Sequence, residues 1–225
     1  MHRHSARLKL RCGALTVAAG LLVWTPPTAA DGEAHNLPAP RLDSDVSLEW
    51  SLAHRRSRRK MAETPLSPAQ LGQLLWAGQG ITRKAGGFRT APSAGARYPL
   101  RVYLLTADGV FVYRPRGHKL VRVQRQDVRT RLWKHVYARP WLRGAPAIFA
   151  IAADYRITEA KYGRKARRFV HIEVGHVGQN LLLQATAMGL RCVGIGAFHD
   201  SRSKATLALP KHEELIYLIA VGKPI

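Results

Sequence analysis

The clearest helix in the apolar pattern of the chain begins after Ser67. Pro68 and a Gln at the third helical position follow Ser67, and this combination caps the first turn of a helix. Leu71, Leu74 and Leu75 then recur at helical spacing. The pattern therefore predicts a helix that buries one leucine-rich face.

The remaining apolar pattern predicts a mixture of strands and helices. Continuous or alternating apolar runs predict strands over 100–106, 110–114, 120–124, 147–153, 191–198 and 215–221. Helical periodicity predicts helices over 47–54, 127–138 and 170–190. Because Ala147–Ala153 is apolar throughout, we expect it to be a central strand with both faces covered. The irregular order of the elements predicts an α+β fold with a central mixed or antiparallel sheet flanked by helices.

The first 30 residues have the pattern of a secretory signal peptide. Four basic residues and no acid accompany a 13-residue apolar run from Cys12 to Trp24, and we expect cleavage near Ala30. A stable membrane span is not expected, because one needs about 18 apolar residues. We therefore predict an exported, periplasmic protein, with an uncleaved membrane anchor as the alternative. Residues 31–46 are predicted to form a linker to one domain over 47–225.

The charge of the chain favours an anionic partner. The 225 residues carry a formal charge of +22, and +18 remains when the four basic residues of the signal segment are removed. Such a balance suits nucleic acid, acidic polymers, membrane head groups or a phosphorylated cofactor, although a solvated basic surface is a simpler explanation. Only Cys192 lies outside the signal segment, which excludes an intramolecular disulfide and a four-cysteine zinc site.

Three familiar motifs are incomplete in this sequence. His171 and His176 point away from each other on a helix, so their spacing does not favour a metal site. Gly194 and Gly196 lack the third glycine of a dinucleotide-binding fingerprint. The run at 91–95 resembles only half of a nucleophile elbow, which leaves a serine hydrolase as a weak alternative.

A basic cluster at 55–60 has the composition of a phosphate site. Five cations surround Ser57, directly after one predicted helix. Guanidinium groups bind phosphate oxygens in pairs, so two or three arginines and a hydroxyl suit a phosphate monoester. Because no aromatic residue is interleaved with the cations, nucleic acid is not the favoured ligand. A solvated basic face is the alternative.

The order of short segments along the chain resembles that of the nitroreductase superfamily. The segments are Arg55-Arg56-Ser57-Arg58-Arg59, Pro92-Ser93-Ala94-Gly95-Ala96-Arg97-Tyr98-Pro99, Lys161-Tyr162, Gln179-Asn180 and Gly194-Ile195-Gly196-Ala197-Phe198. The second segment is similar to that of the SagB/ThcOx-type dehydrogenase branch. The resemblance covers 47–224 and implies an α+β homodimer with one FMN at each of two interface sites.

The resemblance also implies roles for individual residues. Arg55, Arg56 and Ser57 would hold the FMN phosphate, and Arg59 would lie near the pyrimidine ring. Pro92, Ser93 and Ala94 would line the flavin of the other subunit. The backbone N–H groups of Gly196 and Ala197 would face flavin N5 and O4. Ala96 departs from the Asn of many nitroreductases, so that contact to the flavin is lost or replaced.

Lys161 and Tyr162 match a pair implicated in catalysis by azoline dehydrogenases of the SagB type. There a base takes a proton from the substrate while hydride leaves. A surface lysine beside a packed tyrosine is an equally simple explanation of the pair.

The expected function is FMN-dependent two-electron redox on a small organic or peptide-derived substrate. The reaction is either azoline-type dehydrogenation or reduction of a nitro or quinone compound, with NAD(P)H or another electron partner. The alternative is a catalytically inactive domain of the same fold that binds an anionic partner through its basic surface.

Overall fold

The structure, a computed structural model, describes residues 33–137 and 144–225. The predicted signal peptide lies outside the described residues. The strands are β1 (Ala34–Asn36), β2 (Ile81–Arg83), β3 (Phe88–Arg89), β4 (Leu100–Thr106), β5 (Gly109–Arg114), β6 (Lys119–Gln124), β7 (Ala147–Ala153), β8 (Arg191–Ile195) and β9 (Glu214–Gly222). The helices are α1 (Leu48–His54), α2 (Pro68–Gln79), α3 (Arg129–Trp133), α4 (Tyr155–Tyr162), α5 (Ala166–Ala187) and α6 (Asp200–Thr206).

Seven strands form one antiparallel sheet in the order β1-β6-β5-β4-β7-β9-β8. Strands β2 and β3 form a separate hairpin. Every residue of β7 is buried, as its continuous apolar sequence predicts. The predicted α+β class with a sheet flanked by helices is confirmed. No helix within 33–137 or 144–225 is long and apolar enough to cross a membrane.

The sheet separates two hydrophobic cores. Helices α2 and α5 pack on one face, where Leu74 and Leu181 meet Phe149 of β7. Leu132 of α3 and Leu207, which follows α6, lie in the core on the other face. Because side chains alternate along a strand, β7 supplies both cores.

The first turn of α2 is capped as its sequence predicts. The Ser67 hydroxyl accepts a hydrogen bond from the Gln70 N–H at 3.2 Å, and the Gln70 side chain accepts from the Ser67 N–H at 2.9 Å. Leu74 and Leu75 are fully buried, and Leu71 packs against the core from a partly exposed position. This arrangement satisfies two backbone donors that the start of a helix leaves without partners.

The helix predicted over 127–138 is wrong in length, because only Arg129–Trp133 is α-helical among the described residues 127–137. Beyond it, the chain pairs with the segment after β8: Val136 bridges Phe198, and the His199 N–H donates to the His135 carbonyl at 2.8 Å. The same pairing explains why β8 ends at Ile195, before the predicted end at residue 198. Local periodicity does not contain this tertiary contact.

The segment predicted as a linker contributes to the sheet. Ala34–Asn36 pair with β6 as an edge strand. The His35 ring packs edge-on against Phe111 at 5.7 Å, and Glu33 lies 3.6 Å from the Arg122 guanidinium. These contacts are with residues far along the chain, so a short polar strand of this kind has no local sequence signal.

Candidate active site

The basic cluster at 55–60 contacts the start of β8, one of the two edge strands of the sheet. Ser57 forms a parallel bridge with Cys192, and the Arg58 N–H donates to the Cys192 carbonyl at 2.9 Å. The Arg191 guanidinium donates to the Lys60 carbonyl at 3.1 Å. The predicted phosphate segment therefore lies beside the strand that leads into Gly196 and Ala197.

The cations of this cluster differ in their surroundings. Arg55 is partly buried. Burial of Cys192 and Tyr217 raises the pKa of each group, and the positive charge of Arg55 opposes this rise. The Arg56 guanidinium turns back and donates to the Ala53 and Arg55 carbonyls at 3.0 and 2.8 Å, which caps the end of α1. Arg55 is therefore placed to act at the edge of β8, while Arg56 is partly engaged by its own helix.

Two glycines of the β8 segment have different environments. A Cβ placed on Gly194 would overlap the Tyr217 hydroxyl, and one placed on Gly178 would lie 2.8 Å from the Tyr217 ring. The Tyr217 side chain of β9 therefore packs between α5 and β8, in space that exists because Gly178 and Gly194 have no side chains. A Cβ on Gly196 would meet nothing within 4 Å, so its backbone faces open space.

The segment with Pro92, Ser93 and Ala94 leads into a turn with an uncommon backbone. The Ser93 hydroxyl accepts from the Tyr98 N–H at 2.9 Å. Gly95, Ala96 and Tyr98 have φ angles of 59°, 52° and 51°. The left-handed region is costly for a residue with a Cβ, and such strain often accompanies functional turns.

Lys161 and Tyr162 meet this turn at its glycine. A Cβ placed on Gly95 would lie 2.8 Å from Nζ of Lys161 and 2.7 Å from the Tyr162 hydroxyl. The contacts thus divide the predicted residues into two groups. In one group, the basic cluster contacts the start of β8, the strand that precedes Gly196 and Ala197. In the other, the Lys161–Tyr162 pair contacts the turn that follows the Pro92–Ala94 segment.

Glu173 also belongs to the second group, although the sequence analysis assigned it no role in the site. Its side chain is 2% exposed, and burial raises its pKa to about 7 against the opposing effects of Ser93 and Arg89. One carboxyl oxygen and the nearby Gln79 side-chain nitrogen are buried without a hydrogen-bond partner. The available sequence signal was a charged residue in the buried stripe with Val170, Val174 and Val177.

Comparison with known proteins identifies the family. The model of the nitroreductase family matches residues 52–223. The protein MJ1384 of Methanocaldococcus jannaschii, which bears a provisional nitroreductase name, is 36% identical over 200 residues, covering 86% of this chain and 99% of that protein. The chain belongs to the nitroreductase family. It is therefore an oxidoreductase by family.

Crystal structures of nitroreductases share this fold. One from Ralstonia eutropha JMP134, also provisionally named, has a TM-score of 0.78 and 26% identity, covering 88% of this chain and 91% of its own. The NADPH:FMN oxidoreductase of Vibrio harveyi, solved with NAD+, has a TM-score of 0.60 and 18% identity, covering 79% of this chain and 68% of its own. The second likeness concerns the fold alone. Together these similarities confirm the nitroreductase-like fold predicted from the sequence.

Proposed function

We propose that this nitroreductase is an FMN-dependent homodimer that transfers two electrons between NAD(P)H or another electron partner and a small organic or peptide-derived substrate. The observation that carries the proposal is the position of Arg55 and Ser57 beside β8, the strand that leads into the open backbone of Gly196. The structural relative from Vibrio harveyi is an NADPH:FMN oxidoreductase, which supports the same cofactor here.

The dimensions of the β8 edge suit FMN. Ser57 is level with Cys192, and Gly196 lies four residues further along the chain. At about 3.3 Å per residue, the two points are roughly 13 Å apart, which leaves room for a phosphate at one end and a ring system at the other. The Tyr217 hydroxyl lies beside Gly194, between these two points. We propose that it donates a hydrogen bond to the middle of the cofactor.

The residues at each end have the required chemistry. Arg55 and Ser57, with Arg56, would hold the phosphate through charge-assisted hydrogen bonds. Arg59 would bring a positive charge to the pyrimidine ring, and the N–H groups of Gly196 and Ala197 would approach the ring edge. Bound FMN supplies the hydride chemistry, and the protein supplies orientation and charge.

We further propose that the protein belongs to the SagB/ThcOx-type branch. Lys161 would act as a base toward the substrate and Tyr162 would assist it, which suits azoline dehydrogenation. Their contact with Gly95 supports this assignment, because the same turn follows the segment that would line the flavin of the other subunit. Reduction of a nitro or quinone compound is the alternative reaction at the same site.

We propose export to the periplasm from the pattern of residues 1–30, with an uncleaved membrane anchor as the alternative. Fractionation of cells that express the full chain, followed by N-terminal sequencing of the product, tests this proposal. A product that begins near residue 31 in the periplasmic fraction supports export. A full-length chain in the cytoplasmic fraction contradicts it.

Flavin binding tests the proposed cofactor. The purified protein should be yellow, and the Arg55→Ala/Ser57→Ala variant should bind FMN at least about 10-fold more weakly, because each charge-assisted hydrogen bond contributes about 1.5–3 kcal/mol. Fluorescence titration with FMN gives the dissociation constant. Arg125→Ala, at an exposed arginine after β6, is the matched control. A colourless protein that does not bind added FMN contradicts the proposal.

A further inference from the structure

We propose that a cavity beside the Gly95–Tyr98 turn binds the carboxylate of an apolar organic substrate. This cavity, here named the arginine pocket, has a volume of about 410 Å³, and its walls include Arg89, Arg114, Arg116, Tyr98, Ile81 and Pro115. The volume lies within the usual range for small-molecule sites. The inference rests on the proposed function, because it names the substrate class of that enzyme.

The arginine pocket concentrates positive charge without a counter-charge in its walls. Among the described residues that line it, none is an aspartate or a glutamate. Arg89 is partly buried: it donates to the Gln79 side-chain oxygen, lies 4.4 Å from the centre of the Tyr98 ring, and interacts electrostatically with Glu173, which lies outside the pocket walls. Burial lowers the pKa of Arg89, which reflects the cost of taking this cation out of water. A bound anion would offset that cost.

The other two arginines are also available to a ligand. Arg114 lies directly across from Lys119 in the sheet, and like charges in that position destabilise each other. Neither Arg114 nor Arg116 forms an ion pair with a residue that the structure describes. Arg101, which lines a smaller adjoining cavity, differs because Glu213 holds its guanidinium at 2.7 Å. Arg114 and Arg116, which form no ion pair with the described residues, therefore both line the arginine pocket.

The walls select an organic anion over an inorganic one. A second cavity, of about 460 Å³, shares Ile81, Pro115 and Arg116 with the arginine pocket and adds the aromatic rings of Trp76 and Tyr113. Guanidinium groups bind carboxylates in a fixed two-pronged geometry, and rings and aliphatic side chains bind a flat apolar body. An aromatic carboxylate satisfies both parts of the surface, whereas free phosphate uses only the charged part.

The arginine pocket lies next to the proposed catalytic pair. Ala96 lines the pocket, and the preceding residue, Gly95, is the one that Lys161 and Tyr162 contact. A carboxylate held by Arg114 and Arg116 would therefore anchor a substrate beside the turn where this pair meets it. The pocket would favour anionic substrates over neutral ones of the same shape.

Calorimetric binding to the FMN-loaded protein tests the proposal without any turnover. The probes are 4-nitrobenzoate and its neutral analogue 4-nitrobenzyl alcohol. We expect native protein to prefer the anion, and we expect Arg114→Ala/Arg116→Ala to reduce this preference at least about 10-fold, since two charge-assisted contacts are lost. Arg125→Ala is the matched control and should keep the preference. Thermal melting of each variant reports whether it is folded.

The outcomes separate the pocket from the cofactor site. If FMN is bound and the native protein has equal affinity for both probes, the proposed carboxylate site in the arginine pocket is overturned. If inorganic phosphate competes as strongly as 4-nitrobenzoate, the pocket is a phosphate site, and the proposed carboxylate site is overturned. Loss of FMN from the Arg114→Ala/Arg116→Ala variant makes the pocket part of the flavin site and overturns a separate carboxylate site. Selective 4-nitrobenzoate binding by a protein that binds no FMN supports the pocket and contradicts only the proposed function.

Discussion

At the scale of single residues, Gly194 and Gly196 belong to one short segment but have different surroundings. The Tyr217 side chain occupies the space in front of Gly194, while the space in front of Gly196 is open. The sequence shows that small residues occur here, and the resemblance gives Gly196 a role toward the flavin. Only the pairing of β8 with β9 brings Tyr217 beside Gly194, because the two strands are separated along the chain by α6.

Tyr217→Phe tests the role of the hydroxyl beside Gly194. We expect FMN to bind about 2- to 10-fold more weakly, because a neutral hydrogen bond contributes about 0.5–1.5 kcal/mol. The ring remains and keeps its packing against Gly178, so stability without FMN should change little. Fluorescence titration gives the affinity, with Tyr155→Phe on α4, a buried tyrosine with a hydrogen-bonded hydroxyl, as the control. An unchanged affinity in Tyr217→Phe would exclude a contact between this hydroxyl and the cofactor.

At the scale of elements, the turn after Pro92–Ala94 links the predicted catalytic pair to the sheet. Its left-handed residues follow one another closely, and Lys161 and Tyr162 contact it at the single glycine. Ala96 adopts the left-handed conformation despite its Cβ. The sequence suggests a loop here but gives no reason to place the end of α4 against it.

Gly95→Ala tests the contact between the turn and the catalytic pair. The added methyl would overlap the Lys161 and Tyr162 side chains and would also strain a backbone with φ of 59°. We expect kcat to fall by about 10-fold or more, because a displaced base no longer reaches its proton. The assay is turnover of an azoline peptide or a nitroaromatic compound. The control for left-handed strain is Gly189→Ala, at a glycine with φ of 68° and nothing within 4 Å. Equal effects of the two variants would contradict a specific role for the contact.

Glu173 makes the stability of α5 depend on pH. Its pKa is about 7 in the folded protein and about 4.3 in an unfolded chain, so the folded state keeps a proton that the unfolded state releases. Rising pH across this window therefore lowers the free energy of unfolding. At about 1.4 kcal/mol per pKa unit, the loss is on the order of 4 kcal/mol by pH 8.

Glu173→Gln should remove this pH dependence. Relative to native protein, the variant should gain stability between pH 5 and pH 8, as measured by urea unfolding at both values. Glu159→Gln, at an exposed glutamate of α4, is the control and should follow the native curve. Parallel pH curves for native protein and Glu173→Gln would show that Glu173 is ionised in both the folded and the unfolded state.

At the scale of the whole molecule, exposed apolar residues favour the proposed homodimer. Leu48 and Leu52 lie one turn apart on α1 and are 60% and 51% exposed. Such a group of apolar side chains is costly in water, and a second copy of the chain would cover it. In the proposed homodimer, the Pro92–Ala94 segment would line the flavin of the other subunit.

Leu48→Glu/Leu52→Glu tests this surface. We expect the variant to dissociate to monomers, because two buried charges would oppose association, and we expect weaker FMN binding as a consequence. Analytical ultracentrifugation gives the mass, and flavin absorbance gives the FMN content. Val123→Glu, on a partly exposed position of β6, is the control. A dimeric, fully flavinated Leu48→Glu/Leu52→Glu protein would place the subunit interface elsewhere.

The sequence by itself determined the features that depend on neighbouring residues. The capped start of α2, the buried strand β7 and the nitroreductase fold followed from local capping, apolar runs and the order of short motifs. The tertiary structure decided the rest: the short α3, the edge strand β1, the place of Tyr217, and the arginine pocket. These depend on contacts between residues far apart along the chain. Local periodicity carries no information about such partners, because burial and charge pairing are set only when the sheet assembles.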